Sequence, residues 1–193
     1  SMYGYNRSGM KEFEKIYDIS PRDIVRGIIS THYGWNQEFV DSIQVAWKRF
    51  RQDAVTELVR EIYTTIQNSG KDIELSAAVK PNLIEAKSRW FQNWSNWIEN
   101  DILDFVVPMN YFIENKDYNL CIQIMKNSLS EKALTKVVMG LATYNQNPES
   151  VSNKIYIARL NGFNGISIFS YNSHKNNLEW FDPVIESMDT LYE

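Results

Sequence analysis

Polar and phenolic side chains follow the short apolar runs of this 193-residue sequence, and these side chains could bind a ligand. Tyr111, Tyr144 and Tyr171 each follow one of these runs. Asn110 directly precedes Tyr111, and Ser76 lies near the end of the first run. Amides and hydroxyls can exchange hydrogen bonds with sugar hydroxyls, and a tyrosine ring offers an apolar face beside a polar tip. We therefore predict that these residues bind a carbohydrate. The same residue types also cap loops and strand ends in many proteins, so a purely structural role stays open.

Carboxylates are scarce where these runs end, which bears on catalysis. Hydrolysis of a glycosidic bond normally needs two carboxyl groups, one as acid and one as nucleophile or base. The nearest acidic residue is Glu114, beyond Tyr111, and glutamates of this kind are common in exposed loops. Asp104 lies inside an apolar run and is expected to be structural. No residue is therefore assigned a catalytic role.

The sequence offers no recognisable site for a metal or a cofactor. The single cysteine, Cys121, excludes an internal disulfide and a cysteine-based zinc site. The two histidines, His32 and His174, lie far apart and lack the spacing of metal ligands. We expect no metal and no cofactor. Lys80, after the first run, could bind an anionic substituent of a ligand or could simply be solvated.

The charge balance and hydropathy disfavour two classes of partner. The formal net charge is −4 and the isoelectric point is about 5.3, and no basic stripe is present to neutralise a phosphate backbone. We therefore expect no nucleic-acid binding. No apolar run approaches the ~20 residues that a membrane-spanning helix needs, so no membrane span is expected. The first residues also lack the pattern of a signal peptide.

The chain divides into a helical first part, residues 1–70, and an alternating second part, residues 71–193. A long helix is predicted from Gln37 to Asn68, with apolar residues at helical spacing and Gly70 as its stop. Apolar runs then alternate with helical patterns, and we predict four strands: Ile73–Val79, Leu103–Val107, Val137–Ala142 and Gly165–Phe169. Continuous apolar strands separated by helices indicate an α/β fold with a parallel sheet. This pattern fits either half of a (β/α)8 barrel or a small doubly wound sheet. No helix begins with a glycine-rich phosphate loop, so a dinucleotide-binding fold is disfavoured.

Several shorter elements are predicted around this framework. They are an amphipathic segment at Met10–Tyr17, a helix start at Ser20-Pro21, a loop at Gly27–Gly34, one helix that carries Trp90, Trp94, Trp97 and Ile98, a helix at Asp117–Leu129, a helix begun by Asn147-Pro148, and a last helix from Trp180 to Leu191. Ser20 and Asn147 are predicted caps, each followed by a proline at the first helical position.

Motifs along nearly the whole chain resemble those of one family, the bacterial glycosyl-hydrolase-like family 10. The matching stretches are Gly9-Met10-Lys11-Glu12-Phe13, Ile19-Ser20-Pro21-Arg22-Asp23, Trp47-Lys48-Arg49-Phe50-Arg51-Gln52-Asp53, Leu75-Ser76-Ala77-Ala78-Val79, Asp104-Phe105-Val106-Val107-Pro108-Met109-Asn110-Tyr111, Gly140-Leu141-Ala142-Thr143-Tyr144 and Gly165-Ile166-Ser167-Ile168-Phe169-Ser170-Tyr171. Their order and spacing match as well.

This resemblance implies a (β/α)8 barrel, export to the cell envelope or beyond, and action on polysaccharide or cell-wall glycan. The acidic motif of the family follows its fourth strand, and the match here begins after that point. The resemblance therefore implies the C-terminal half of the barrel, without the catalytic carboxylates. What carries over is a pocket wall made of Asn110, Tyr111, Tyr144 and Tyr171, with Ser76 more weakly.

A half-barrel leaves two strand edges unpaired, and unpaired edges invite association. We expect a single domain over residues 1–193 and homo-oligomers that form through the edges of Ile73–Val79 and Gly165–Phe169. The long N-terminal helix could instead cover an edge. Three functions stay open at this point: a fragment of a glycoside hydrolase, a stand-alone carbohydrate-binding module or pseudoenzyme, and a structural interaction domain.

Overall fold

A computed structural model describes residues 5–26, 34–163 and 165–189. Within these ranges helices and short strands alternate: α1 (Arg7–Tyr17), α2 (Pro21–Arg26), α3 (Gln37–Asn68), β1 (Ser76–Val79), α4 (Leu83–Arg89), α5 (Trp94–Glu99), β2 (Phe105–Pro108), α6 (Asn115–Ser128), α7 (Glu131–Leu134), β3 (Val138–Ala142), α8 (Pro148–Leu160), β4 (Gly165–Phe169), two 3-10 helices (Tyr171–Ser173 and Leu178–Phe181) and α9 (Asp182–Asp189). The predicted α/β class with a long N-terminal helix is confirmed.

All strand pairs are parallel. β1 pairs with β2, with Ser76 opposite Phe105, and β3 pairs with β4, with Val138 opposite Gly165. Two isolated parallel bridges, Val106 to Val137 and Met109 to Gly140, connect β2 to β3. The strands therefore lie side by side in chain order as two small sheets joined in the middle. This arrangement is consistent with part of a barrel, and the half-barrel itself stays a prediction.

The two faces of the strands differ in burial. Side chains on one face join the main hydrophobic core under the helices, including Val79, Val106, Met139 and Leu141. Because side chains alternate along a strand, Phe105, Val107 and Val138 lie on the opposite face, and they are only half-buried. The helices thus cover one face of the strands and leave the other partly open.

The N-terminal helices form a second, smaller core around Trp47. Its indole contacts the ring of Phe13 edge-on, with centroids 4.9 Å apart, and its Nε1 donates to the hydroxyl of Tyr5 at 2.9 Å. The second half of α3 packs against the main core, where Trp97 Nε1 donates to Thr56 Oγ1 at 3.0 Å. The long helix therefore connects the two cores.

The predicted long helix, Gln37–Asn68, and the fourth strand, Gly165–Phe169, have the bounds that were expected. The first strand is shorter than predicted and begins at Ser76. Just before this strand, the N–H of Leu75 donates to the carboxylate of Asp104 at 2.6 Å, and the N–H of Asp104 donates to the carbonyl of Leu75 at 2.9 Å. Asp104 therefore has the structural role that was expected.

The tryptophan-rich helix was predicted as one element, and this prediction is wrong. The chain forms α4 and α5 instead, separated by Phe91, whose φ is +60°. The short helix α7 and the 3-10 helices were not predicted. Of the predicted loop at Gly27–Gly34, residues 27–33 lie outside the described residues, as do the last residues of the predicted C-terminal helix.

Candidate functional site

Three aromatic rings meet where β2, β3 and β4 end. Tyr111 follows β2, Tyr144 follows β3, and Phe169 is the last residue of β4. The rings of Tyr111 and Phe169 stack with centroids 5.8 Å apart. Tyr144 stands edge-on to both, at 6.4 Å from Tyr111 and 6.3 Å from Phe169. Since the carboxyl ends of parallel neighbours share one edge, three residues distant in sequence form one surface, here called the aromatic rim.

The aromatic rim faces solvent. Tyr144 and Phe169 are each 55% exposed. Neither the Tyr111 hydroxyl nor the Tyr144 hydroxyl hydrogen-bonds to any residue in the described ranges. Partial burial, together with the neighbouring Tyr144, raises the pKa of Tyr111, so its hydroxyl stays protonated at neutral pH. The rim thus combines exposed ring surface with phenolic groups that can donate and accept hydrogen bonds.

Backbone and hydroxyl contacts hold the strand ends that carry the rim. The N–H of Thr143 donates to the carbonyl of Phe169 at 2.9 Å, and its Oγ1 donates to the carbonyl of Ser170 at 3.0 Å. Asn145 Nδ2 donates to the carbonyl of Tyr111 at 3.4 Å. These bonds connect the ends of all three strands, so the ring positions are fixed relative to one another.

Asn110 lies beneath the rim and has no exposed surface. Its Nδ2 donates to the carbonyl of Tyr118 at 3.1 Å, and its backbone N–H donates to the carbonyl of Gly140 at 3.1 Å. Its Oδ1 is buried without a partner among the described residues. The side chain therefore supports the strand end, and a direct contact with a ligand would require the surrounding residues to move.

A fully buried lysine links the loops on either side of Tyr111 and Tyr144. Lys154, on α8, donates from Nζ to the carbonyl of Ile113 at 2.8 Å and to Ser150 Oγ at 3.0 Å, and it also bonds to Gln146 Oε1. Burial lowers the pKa of Lys154, and the carboxylate of Glu114 opposes that shift. With three acceptors, the buried ammonium ties the loop after β2 to the loop after β3.

Tyr171 belongs to a separate aromatic group. Its ring stacks on Phe181 with centroids 6.1 Å apart, and the neighbouring His174 stacks on Trp180 at 3.9 Å. His174 Nε2 lies 3.0 Å from the carbonyl of Thr143, which joins this group to the end of β3. Tyr171 is 58% exposed, so it stays accessible beside the aromatic rim.

Ser76 lies apart from the other predicted site residues. The prediction placed it near the carboxyl end of the first strand, but β1 begins at Ser76 and ends at Val79. At about 3.3 Å per residue, the two ends are roughly 10 Å apart. Ser76 is exposed at the amino-terminal edge of the sheet, where the structure does not bring it together with the tyrosines.

A cavity of about 270 Å³ opens beside Tyr111, between the end of β2 and the turn after β1. Its lining residues are Lys80, Pro81, Asn82, Glu85, Arg89, Trp90, Met109, Tyr111 and Phe112. Lys80 Nζ lies 4.5 Å from the centroid of the Trp90 ring, and the Arg89 guanidinium lies 5.4 Å from it. The cavity thus combines aromatic walls with two cations and one carboxylate.

Acidic and metal-binding groups are sparse at this edge. The first acidic residues to follow β1 and β2 are Glu85, on α4, and Glu114, which precedes α6. Within the described ranges no cluster of three or more histidine, cysteine, aspartate or glutamate side chains could hold a metal ion. Burial, with the nearby carboxylates of Glu85 and Asp117, raises the pKa of Cys121 to about 11, so its thiol is unreactive at neutral pH.

Sequence reasoning missed three residues of this region: Phe169, Trp90 and Lys154. Phe169 was counted as part of an apolar strand, and its position as the last strand residue was the available signal. Trp90 was assigned to a helix face. Nothing in the local sequence around Lys154 distinguishes it from a solvated lysine, because its acceptors come from distant loops.

The fold and the rim define a mixed α/β protein whose parallel strands end in an exposed aromatic surface. The chain matches the family described as Glycosyl hydrolase-like 10 over residues 16–158, which is more than half of its length. It therefore belongs to that family, as the sequence motifs predicted. A comparison with curated proteins found no match. In the described part of the chain, no helix is long and apolar enough to cross a membrane.

Proposed function

We propose that this chain supplies a carbohydrate-binding rim to a glycoside-hydrolase-like protein that acts on polysaccharide or cell-wall glycan outside the cytoplasm. The observation that carries the proposal is the exposed group of Tyr111, Tyr144 and Phe169 at the carboxyl ends of neighbouring parallel strands. Ligands of parallel α/β proteins bind at this edge, and family membership supports a glycan as the ligand.

The chemistry of the rim suits a sugar. Exposed ring faces can pack on the C–H face of a pyranose, and the phenolic hydroxyls can exchange hydrogen bonds with its hydroxyl groups. Tyr171 lies close enough in the fold to extend the same surface, because His174 joins its loop to the end of β3. Asn110 and Lys154 then act by holding the loops in place.

We further propose that this chain by itself binds without hydrolysing. Hydrolysis would need two carboxylates near the scissile bond, and they are about 5 to 9.5 Å apart in glycosidases. The strand ends described here are followed by amides, hydroxyls and rings. The catalytic pair would come from further βα units, with this chain as the C-terminal half of a (β/α)8 barrel.

Two sheet edges support the idea of a partner. Among the described strands, β1 pairs only with β2 and β4 pairs only with β3, so each has a free side. Unpaired N–H and C=O groups favour pairing with another strand. We propose that a second copy occupies these edges when no further βα units are attached. Sedimentation of a monomer, with rapid amide exchange in both β1 and β4, would contradict this.

The binding proposal is tested by isothermal titration calorimetry with neutral oligosaccharides, for example of the β-1,4-linked glucose and N-acetylglucosamine types. Tyr111→Ala and Tyr144→Ala are expected to weaken binding about tenfold, or about 1.4 kcal/mol each. Tyr156→Ala is the matched control, because Tyr156 is 48% exposed on α8, away from the strand ends. Equal affinity in all variants, or no binding by the wild type, would overturn the proposal.

Catalysis is tested separately with the same oligosaccharides by following reducing ends. We expect no release above the buffer background for this chain. Release of reducing ends by the chain, abolished in Glu114→Gln or Glu85→Gln, would show that a catalytic carboxylate is present after all.

A further inference from the structure

The cavity beside Tyr111 carries an excess of positive charge in a protein whose net charge is −4. Lys80 and Arg89 line it, and neither forms an ion pair with any residue in the described ranges. Glu85 is the carboxylate among the lining residues. The cavity thus has one more cation than it has anions, which suits a ligand group with a single negative charge.

The turn after β1 fixes the position of Lys80. Its backbone N–H donates to Gln92 Oε1 at 2.9 Å, and its carbonyl accepts from Trp94 Nε1 at 3.0 Å. Trp94 is fully buried, so this turn is anchored to the main core. The Lys80 side chain then extends along the Trp90 ring toward the cavity. Such an anchor reduces the ordering cost of binding.

Aromatic surface surrounds the cations. Trp90 forms one wall, and Tyr111 of the aromatic rim forms another. The volume of about 270 Å³ lies near the lower end of small-molecule pockets, which begin at roughly 300 Å³. The cavity can therefore hold one residue of a chain whose neighbours lie on the rim.

We infer that this cavity is a subsite for a sugar residue that bears a carboxylate, with Lys80 and Arg89 as its cationic contacts and Trp90 and Tyr111 as its ring contacts. The inference rests on the proposed carbohydrate-binding function and names the class of glycan. A guanidinium and an ammonium can each bond to one carboxylate. A phosphate ester carries close to two negative charges. Lys80 and Arg89 would not neutralise both of them, because Glu85 adds a further negative charge to the cavity.

The test uses oligogalacturonate and its carboxyl-reduced, neutral form in calorimetric titrations of the whole chain. The carboxylated ligand is expected to bind at least tenfold more tightly at low salt, and the difference is expected to shrink at high salt. Lys80→Gln and Arg89→Gln should each remove most of this preference, because they should weaken binding of the carboxylated form much more than binding of the neutral form. Glu85→Gln should increase the preference.

Lys87→Gln is the matched control, because Lys87 lies on the same helix α4 and does not line the cavity. A similar loss in Lys87→Gln would mean that general charge attraction explains the preference, and it would overturn the inference. Thermal unfolding of each variant shows whether the fold is retained, and Arg89→Lys provides a milder second variant.

A second ligand distinguishes the two sources of a sugar carboxylate. An oligosaccharide that contains muramic acid carries the group on an ether-linked lactyl arm, whereas oligogalacturonate carries it on the ring. Tighter binding of either carboxylated ligand than of the neutral oligosaccharide supports the subsite, provided that Lys80→Gln and Arg89→Gln reduce the difference. If only neutral oligosaccharides bind, and Tyr111→Ala abolishes that binding, the subsite is wrong while the proposed function stands. If no glycan binds, both are wrong.

Discussion

The ring of Tyr111 lies nearly parallel to that of Phe169, at an angle of 9° with 5.8 Å between the centroids, although the two residues belong to different strand ends. Tyr144 lies beside this pair and meets both rings edge-on. The rim is therefore a coupled group of rings, and each ring depends on the other two for its orientation.

This coupling predicts that Phe169, which has no polar group, is needed for sugar binding. Phe169→Ala removes the stacking partner of Tyr111, and an aromatic pair is worth about 0.5–1.5 kcal/mol. We expect a loss of affinity for a neutral oligosaccharide of up to about tenfold by calorimetry. Phe169→Tyr keeps the ring and should bind as the wild type does. Wild-type affinity in the alanine variant would show that Phe169 has no part in the rim.

The buried ammonium of Lys154 predicts a large effect on stability. Lys154→Met leaves the carbonyl of Ile113 and the side chain of Gln146 without their donor. Each buried acceptor that loses its partner costs about 1–3 kcal/mol, measured as the free energy of unfolding in urea. Lys126→Met is the control, since exposed Lys126 donates to Asn161 Oδ1 at the surface, and it should change stability by less than about 0.5 kcal/mol. Equal losses of unfolding free energy in Lys154→Met and Lys126→Met would contradict the role of Lys154 in linking the two loops.

Asp101 predicts a specific acid dependence of stability. Hydrogen bonds from Lys132 and then Lys136 lower the pKa of Asp101 from 3.8 to about 2. A carboxyl whose pKa is depressed by folding stabilises the protein above its unfolded pKa, and that contribution is lost as the pH falls through the folded pKa. The window here runs from about pH 4 to about pH 2.

The urea midpoint of unfolding should therefore fall less in Asp101→Asn than in the wild type as the pH is lowered across this window. Asparagine tolerates the positive φ of +56° at this position, so the backbone should not change. Because Asp101 is exposed, the difference from the wild type should also shrink at high salt. Parallel stability curves for the two proteins between pH 4 and 2 would be the contrary result.

The close approach of β2 and β3 predicts that Gly140 is required. A Cβ on Gly140 would lie 2.7 Å from the carbonyl oxygen of Pro108, so the backbone of β2 would have to move. We expect Gly140→Ala to cost about 1–3 kcal/mol by urea unfolding and to weaken glycan binding, because Tyr111 follows β2. At Gly165 the nearest atom is a side-chain carbon of Val138, at 2.8 Å, so Gly165→Ala should cost less. A larger loss of stability in Gly165→Ala than in Gly140→Ala would contradict the close packing of β2 and β3.

Patterns that depend on local sequence were predicted well. The helix Gln37–Asn68 and the strand Gly165–Phe169 have bounds set by a capping residue or by glycine punctuation, and Asn147 caps α8 by accepting from the N–H of Ser150. Parallel pairing also followed from the alternation of apolar runs and helices. The caps and the glycine stops depend on neighbours within a few residues, and the parallel pairing depends on the order of the elements along the chain.

Features that depend on distant contacts were not predicted. The long helix was predicted from apolar residues at helical spacing, yet two of these residues, Leu58 and Ile62, are 57% and 43% exposed. The burial of Asn110 could not be predicted, because it follows from the bonds that Asn110 makes to Tyr118 and Gly140. Ser76 was predicted near the carboxyl end of a longer strand, whereas β1 begins at Ser76, next to the contacts between Leu75 and Asp104.

The central claim is that a sugar binds where the parallel strands end, and an NMR titration of the isotope-labelled chain with a neutral oligosaccharide tests it most directly. The account predicts that the largest amide shifts fall within residues 109–112, 142–146 and 169–171, with smaller changes at the amino-terminal edge around Ser76. Saturating shifts confined to the N-terminal helices or to the Ser76 edge, with the strand ends unchanged, would contradict it.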